Sequence, residues 1–114
     1  MQYDDPSLLL DLAQAGRLIL QFTDGYDYGS FKEDAKTQSA VLHQLLVIGE
    51  AAKKLSDEFK GMHPSIPWDD IARMRDKLIH HYRGVDNREV WRIAEKDLPD
   101  LLAFLEAFLP PEPS

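Results

Sequence analysis

The stretch from Met74 to Asp86 concentrates side chains that could do chemistry near neutral pH more than any other stretch of this sequence. Arg75 is a permanent cation, His80 titrates near pH 7, and Tyr82 carries a phenolic hydroxyl. Singly, each has a plain structural explanation: arginines snorkel at apolar rims, tyrosines pack, and histidines lie at surfaces. Their grouping predicts the functional site, and the rest of the chain is interpreted as its scaffold.

Helical geometry separates two of these residues. Arg75 and Tyr82 are seven positions apart and share a face, whereas His80 lies about 140° around the helix from Arg75. A straight helix therefore does not bring Arg75 and His80 together. Either the helix bends before Gly84, or two copies of the chain contribute to one site. We favour a two-fold interface at which the two motifs face each other.

Histidines also raise the question of a metal. His80 and His81 are adjacent and point about 100° apart on a helix, whereas a zinc-binding helix places its histidines four positions apart. His63 precedes Pro64 and is interpreted as a turn residue. We therefore expect no metal site and no cofactor.

The composition limits the class of protein. The chain has 114 residues, enough for one domain with a real core, and it has no cysteine, which excludes disulfides and thiolate chemistry. The acidic N-terminus differs from the basic start of a signal peptide, and no apolar run approaches the roughly 20 residues that span a bilayer. These features predict a soluble cytoplasmic protein.

The net charge of -7 argues against nucleic-acid binding over the whole surface, because such binding needs many basic contacts to phosphates. The charge is uneven, however. The segment from Arg73 to Arg92 has six basic residues against three acidic ones. This segment could form a local anion site or simply a solvated helix face.

The apolar periodicity is helical throughout. Asp5 as an N-cap, followed by Pro6, begins a first helix over about 6–22. Ser30 and Glu33 have the spacing of a capping box for a second helix over about 31–59, with an early break. The segment 60–67 reads as a loop.

Three further features complete the prediction. Pro67 starts a third helix with Trp68 in the core, Asp86 and Glu89 form another capping box, and Asp97 caps the last helix. The third helix places one set of residues on a single apolar face: Ile71, Met74, Leu78, Tyr82 and Val85. The expected fold is an all-α antiparallel bundle of four to five helices, with one domain over 1–109 and a proline-rich tail over 110–114.

The second helix is apolar on nearly every side, which favours a central position in the bundle or a helix shared with a second subunit. Gly49 lowers helix propensity and is therefore expected to permit close approach of another backbone. Glu50 is either an exposed glutamate or a carboxylate that meets an arginine.

The spacing Arg75, four residues, His80, one residue, Tyr82 resembles the signature of the HepT-like toxins of the HEPN superfamily. Other segments also resemble recurrent segments of that family, in order and at fitting spacing, and together they cover about residues 8–109: Ile48-Gly49-Glu50-Ala51, His63-Pro64-Ser65-Ile66-Pro67-Trp68, Met74-Arg75-Asp76, Gly84-Val85-Asp86, Val90-Trp91 and Asp97-Leu98-Pro99. The series is far more specific than the Arg-His spacing alone.

The resemblance implies a homodimeric helical bundle with metal-independent endoribonuclease activity, belonging to a toxin-antitoxin pair. It implies an RNA substrate, no DNA or membrane partner, and an antitoxin of the MNT nucleotidyltransferase type that transfers AMP from ATP to Tyr82. Arg75, His80 and Tyr82 would be catalytic. Asp76 stands where many members carry Asn or another polar residue after the arginine, and the position of His81 is left open by the family.

This implied activity agrees with the chemistry of the residues. A histidine such as His80 can move the proton of an attacking 2′-hydroxyl, and Arg75 can meet the charge that grows on the phosphate. Asp76 and Glu50 would orient Arg75. The alternative is a non-catalytic dimeric module that only binds a nucleotidyltransferase.

Overall fold

The computed structural model describes residues 4–80 and 85–109, and all regular secondary structure in these ranges is helical. The predicted all-α class is therefore confirmed. The segment in which the alternative of a bend before Gly84 would show lies outside the described residues, as do His81, Tyr82 and the tail 110–114. The helices are α1 (Asp5–Thr23), α2 (Tyr28–Lys32), α3 (Ala35–Lys54), α4 (Asp57–Met62), α5 (Trp68–His80), α6 (Asn87–Arg92) and α7 (Leu98–Glu106), with a π-helical turn (Ile93–Asp97) joining the last two.

Helix α3 is the centre of the bundle. It packs mainly against α1 and α5 and also touches α2 and α6. This confirms the central position that its apolar pattern predicted, although Leu42 and Leu46 are only half-buried. The largest fully buried side chains are Phe31, Leu12, Ile19, Leu45, Leu105 and Val41. No described helix is long and apolar enough to cross a membrane.

The cap of the first helix differs from the prediction by one residue. The carboxylate of Asp4, not Asp5, accepts the backbone N–H of Ser7 at 2.8 Å. Asp5 instead contacts a residue distant in sequence. It accepts two hydrogen bonds from Ser56, one from the backbone N–H and one from the hydroxyl. Ser56 in turn caps α4 through Phe59 N–H. Asp5 therefore ties the start of α1 to the start of α4.

The predicted second helix is three helices. Its predicted early break is present, but the capping box there is Asp27 with Ser30 rather than Ser30 with Glu33. This box begins the short α2, and Asp34 then caps α3 by accepting Thr37 N–H. The prediction failed because Ser30 satisfies the backbone N–H of Asp27, three residues before it, and so lies inside a helix that has already begun.

Two caps near the C-terminus also differ. Asp86 does cap α6, but through Arg88 N–H, and Glu89 pairs with Arg92 instead of completing a box. Asp97 makes no capping hydrogen bond, because the π-helical turn carries the backbone continuously into α7. Its carboxylate contacts Arg92 at 3.1 Å.

The predicted loop over 60–67 is shorter than expected, since α4 continues to Met62. His63 follows as its C-cap and packs among aromatic rings, with its centroid 4.6 Å from Phe59 and 4.8 Å from Phe108. The carbonyl of His63 accepts the indole N–H of Trp68 at 3.0 Å. Trp68 is buried, as predicted.

The apolar face of α5 is less buried than the sequence suggested. Ile71, Met74 and Leu78 are half-buried and line an open groove, here called the α5 groove, with a cavity volume of about 960 Å³. Its far wall is formed by α6, the π-helical turn and the start of α7. Arg75, Asp76 and His80 do not line this groove, so the candidate site faces a different side of α5.

Candidate functional site

The site is built where α5 crosses α3 at Gly49. A Cβ atom placed on Gly49 would lie 2.0 Å from the Cβ of Arg75 and 3.2 Å from its Cα. No real side chain fits at such distances, so only glycine permits this crossing. The expected close approach of another backbone to Gly49 is confirmed, and the partner is the residue that carries the candidate guanidinium.

Glu50, the next residue, meets this guanidinium. Arg75 Nη2 lies 2.9 Å from Glu50 Oε2, and Lys54 Nζ lies 3.1 Å from the other carboxylate oxygen, Oε1. Of the two alternatives that the sequence left open for Glu50, the structure shows the contact with an arginine. Glu50 Oε2 is buried, yet no described donor makes a well-aligned hydrogen bond to it, so the contact with Arg75 is an ion pair by distance only.

Asp76 holds the same guanidinium from the other side. Arg75 Nη1 donates a hydrogen bond of 3.0 Å to Asp76 Oδ1, and Lys53 Nζ lies 4.0 Å from that oxygen. The hydrogen bond from Arg75 lowers the pKa of the Asp76 carboxyl, with smaller contributions from the charges of Lys53, Arg75 and His80. Two carboxylates on two helices therefore fix Arg75, whose side chain remains 27% exposed.

His80 is the last residue of α5 and is exposed. Because α5 is helical through His80, His80 lies four residues and about one turn beyond Asp76, on the same face. Asp76 therefore lies beside Arg75 in the chain and on the same face of α5 as His80. The angle of about 140° between Arg75 and His80 did not by itself reveal this shared neighbour. Tyr82, the third residue of the predicted site, lies outside the described residues.

Lys53 was missed by the sequence reasoning. It lies three residues after Glu50 and four after Gly49, so helical spacing alone could have placed it on the side of α3 that α5 crosses. With Lys54, it gives the site three cations, Lys53, Lys54 and Arg75, against the two carboxylates of Glu50 and Asp76. We call these five residues the Arg75 cluster. No group of three or more His, Cys, Asp or Glu within 4–80 and 85–109 is arranged to hold a metal ion.

Comparison with known proteins agrees with the series of motifs. The profile of the family described as Ribonuclease HepT-like matches residues 12–108. A Thermococcus cleftensis protein named as a probable ribonuclease HepT is 46% identical over 101 residues, covering 89% of this chain and 92% of that protein. A Methanocaldococcus jannaschii protein whose name assigns it to the RNases is 38% identical, covering 93% of this chain and 88% of that protein. No solved structure gave a significant match. The chain belongs to the HepT-like ribonuclease family.

Proposed function

We propose that this chain is a metal-independent endoribonuclease that acts on RNA through Arg75 and His80. The observation that supports this most directly is the placement of Asp76, which accepts a hydrogen bond from Arg75 and lies one helical turn before His80. A fixed guanidinium can stabilise the charge on a phosphate and an imidazole can move a proton, and metal-free RNA cleavage can proceed with these two groups. Membership of a ribonuclease family supports the same activity.

The reaction we propose is an in-line transfer within the RNA strand. The 2′-oxygen forms a bond to the adjacent phosphorus while the bond from phosphorus to the 5′-oxygen breaks. His80 accepts the 2′-hydroxyl proton while water protonates the departing 5′-oxygen, or His80 supplies the proton to the 5′-oxygen while water accepts the proton of the 2′-hydroxyl. Arg75 donates hydrogen bonds to the phosphate oxygens, on which negative charge grows. Glu50 and Asp76 act as positioning residues that hold Arg75.

We further propose that the working unit is a homodimer in which the site is shared. Arg75 and His80 diverge by about 140° on the straight helix α5, so Arg75 of one copy could act with His80 of the other. This is tested by unfolding a mixture of Arg75→Ala and His80→Ala subunits and refolding it, so that mixed dimers form. A shared site leaves one intact combination in the mixed dimer and restores part of the cleavage. A site contained in one copy restores none.

The regulatory part of the proposal concerns Tyr82. We propose that the chain is the toxin of a cytoplasmic toxin-antitoxin pair, and that an MNT-type nucleotidyltransferase antitoxin transfers AMP from ATP to the Tyr82 hydroxyl, with pyrophosphate as the leaving group and the hydroxyl proton passing to solvent. The added phosphate carries negative charge and would oppose RNA two residues from His80. Incubation with that partner and ATP should add AMP mass to the peptide containing Tyr82. Addition to another residue would refute this assignment.

A second candidate function is a non-catalytic dimeric module that only binds the nucleotidyltransferase. The net charge of -7 and the two carboxylates on Arg75 favour it, because both oppose an RNA phosphate. Cleavage of RNA in EDTA separates the two candidates. We expect the wild type to cleave, and Arg75→Ala and His80→Ala each to lose cleavage. Unchanged cleavage by His80→Ala would overturn the catalytic assignment, and no cleavage by the wild type at any concentration would favour the binding module.

A further inference from the structure

We infer that Lys53 binds the RNA phosphate next to the one held by Arg75, and so sets the register of the strand across the site. This inference rests on the proposed ribonuclease function. It concerns a residue of α3 that lies outside the sequence motif and gives the site a second phosphate contact on the helix facing α5.

The first step is the balance of charge. The chain as a whole carries -7, so a polyanion needs a local region where cations outnumber carboxylates. The Arg75 cluster is such a region, with three cations against two carboxylates, and His80 lies beside it.

The second step is that Lys53 is the least restrained of these cations. Arg75 is held by two carboxylates, and Lys54 lies 3.1 Å from Glu50 Oε1. Lys53 Nζ is 4.0 Å from Asp76 Oδ1, beyond hydrogen-bond length, and its side chain is 56% exposed. An ammonium group on a flexible stem can leave such a weak contact for a phosphate at little energetic cost.

The third step is distance. Arg75 Nη1 and Lys53 Nζ lie 3.0 Å and 4.0 Å from the same oxygen, Asp76 Oδ1, so the two nitrogens are at most about 7 Å apart. Two cations no farther apart than this can each contact one of two successive phosphates of an RNA strand, because the flexible stem of Lys53 can extend. Asp76 thereby keeps the two cations close together, with Arg75 held by two carboxylates and Lys53 adjustable.

A structural role must also be considered, because Lys53 lies in the last turn of α3, where a cation stabilises the helix dipole. The two roles differ in what they change. A dipole contact affects thermal stability, whereas a phosphate contact affects the salt dependence of RNA binding. Lys36 provides a matched control, since it is an exposed lysine on the same helix, about 25 Å away at 1.5 Å per residue.

The test measures binding of the full chain to a single-stranded, fully 2′-O-methylated oligoribonucleotide, which lacks the attacking hydroxyl and is not cleaved. For Lys53→Gln we expect about fivefold weaker binding at low salt, as for loss of one exposed ion pair. The slope of log affinity against log salt should also fall in magnitude by about 0.7, the value for one phosphate contact on a single strand. Lys53→Arg should restore the slope, and Lys36→Gln should leave it unchanged.

Several outcomes would overturn the inference. These are an unchanged slope for Lys53→Gln, an equal change for Lys36→Gln, or no binding of this oligonucleotide by the wild type at low salt. Cleavage of unmodified RNA is measured separately. If the wild type binds but does not cleave, the proposed catalysis fails while the result for Lys53 still stands on the binding data.

Discussion

Gly49 and Arg75 lie in direct contact where α3 and α5 cross, so closely that a Cβ on Gly49 would lie 2.0 Å from the Cβ of Arg75. The position of the candidate guanidinium is therefore set by the absence of a side chain on another helix. Glu50, the residue after this glycine, then reaches the guanidinium at 2.9 Å. Gly49 thus leaves the space for Arg75, and Glu50 supplies one of the two carboxylates that hold it.

Substitution Gly49→Ala should displace Arg75 and impair cleavage. The added methyl group meets a backbone atom as well as the side chain of Arg75, so α5 must shift. A misplacement of about 1 Å can lower activity on the order of 100-fold. The kinetics of RNA cleavage measure the loss of activity. Thermal unfolding measures the loss of stability, for which overpacking of the helix crossing predicts about 1–3 kcal/mol.

The control for this substitution is Gly61→Ala in α4, where an added Cβ meets no atom within 4 Å. There the gain in helix propensity, up to about 1 kcal/mol, should leave stability equal or higher and cleavage unchanged. Equal activity of the two variants would contradict the proposed role of the contact between Gly49 and Arg75.

Asp76 should tolerate asparagine better than alanine. The amide oxygen of Asp76→Asn can still accept the hydrogen bond from Arg75, and loss of the negative charge should favour a nearby phosphate. We therefore expect Asp76→Asn to cleave RNA with kcat close to that of the wild type and with an equal or lower KM. Asp76→Ala removes the acceptor and should lower kcat. If both variants behave alike, the hydrogen bond to Arg75 does not position it.

The acid stability of the chain should depend on Asp34. Hydrogen bonds to Asp34 from the Tyr26 hydroxyl, at 2.6 Å, and from the backbone and hydroxyl of Thr37 lower the pKa of its carboxyl from 3.8 to about 2. A lowered folded-state pKa means that this stabilisation is complete above pH 3.8 and is lost as pH falls towards 2.

Melting temperatures measured from pH 6 down to about pH 2 test this dependence on Asp34. The wild type should lose stability between pH 3.8 and about 2 more steeply than Asp34→Asn, so that the two curves converge. Asp11→Asn, at an exposed position on α1, should follow the wild type. If the melting temperatures of the wild type and Asp34→Asn fell in parallel, Asp34 would not be the cause of the loss of stability in acid.

Phe31 should be among the most costly core positions to truncate. Its side chain is fully buried, and its ring centroid lies 5.3 Å from that of Trp91, so it joins the short helix α2 to α6 within the core. Phe31→Ala should lower the free energy of unfolding by about 3–5 kcal/mol. Denaturant titration measures this, with Leu10→Ala, at a residue that is 41% exposed, as a control expected to cost far less.

Local pattern was sufficient for part of the fold and of the site. The helical period predicted the all-α class and favoured either a central position for α3 or a helix shared with a second subunit, because periodicity reports which face of each segment is buried. The position of Trp68 at the corner after Pro67 predicted its burial. The low helix propensity of glycine predicted that Gly49 accepts another backbone, whereas the sequence left open whether Glu50 is exposed or meets an arginine. The motif series predicted the family, which the matched profile over residues 12–108 confirmed.

Capping was predicted less well, because neighbouring acidic residues compete for the same backbone donors. Asp4 and Asp5 are equivalent by type, and only the packed structure gives Asp4 to Ser7 and Asp5 to Ser56, which is 51 residues away. The capping box begins at Asp27 rather than at Ser30, because the Ser30 hydroxyl accepts the backbone N–H of Asp27 and Ser30 therefore lies inside the helix.

The sequence by itself determined that this chain is helical and that Arg75 and His80 lie on one helix, because helix formation depends on local spacing. Only the tertiary structure decided which groups surround them. The open α5 groove, the second carboxylate on Arg75 and the approach of Lys53 to Asp76 all depend on where α3 crosses α5, and that crossing is fixed by packing between segments distant in sequence.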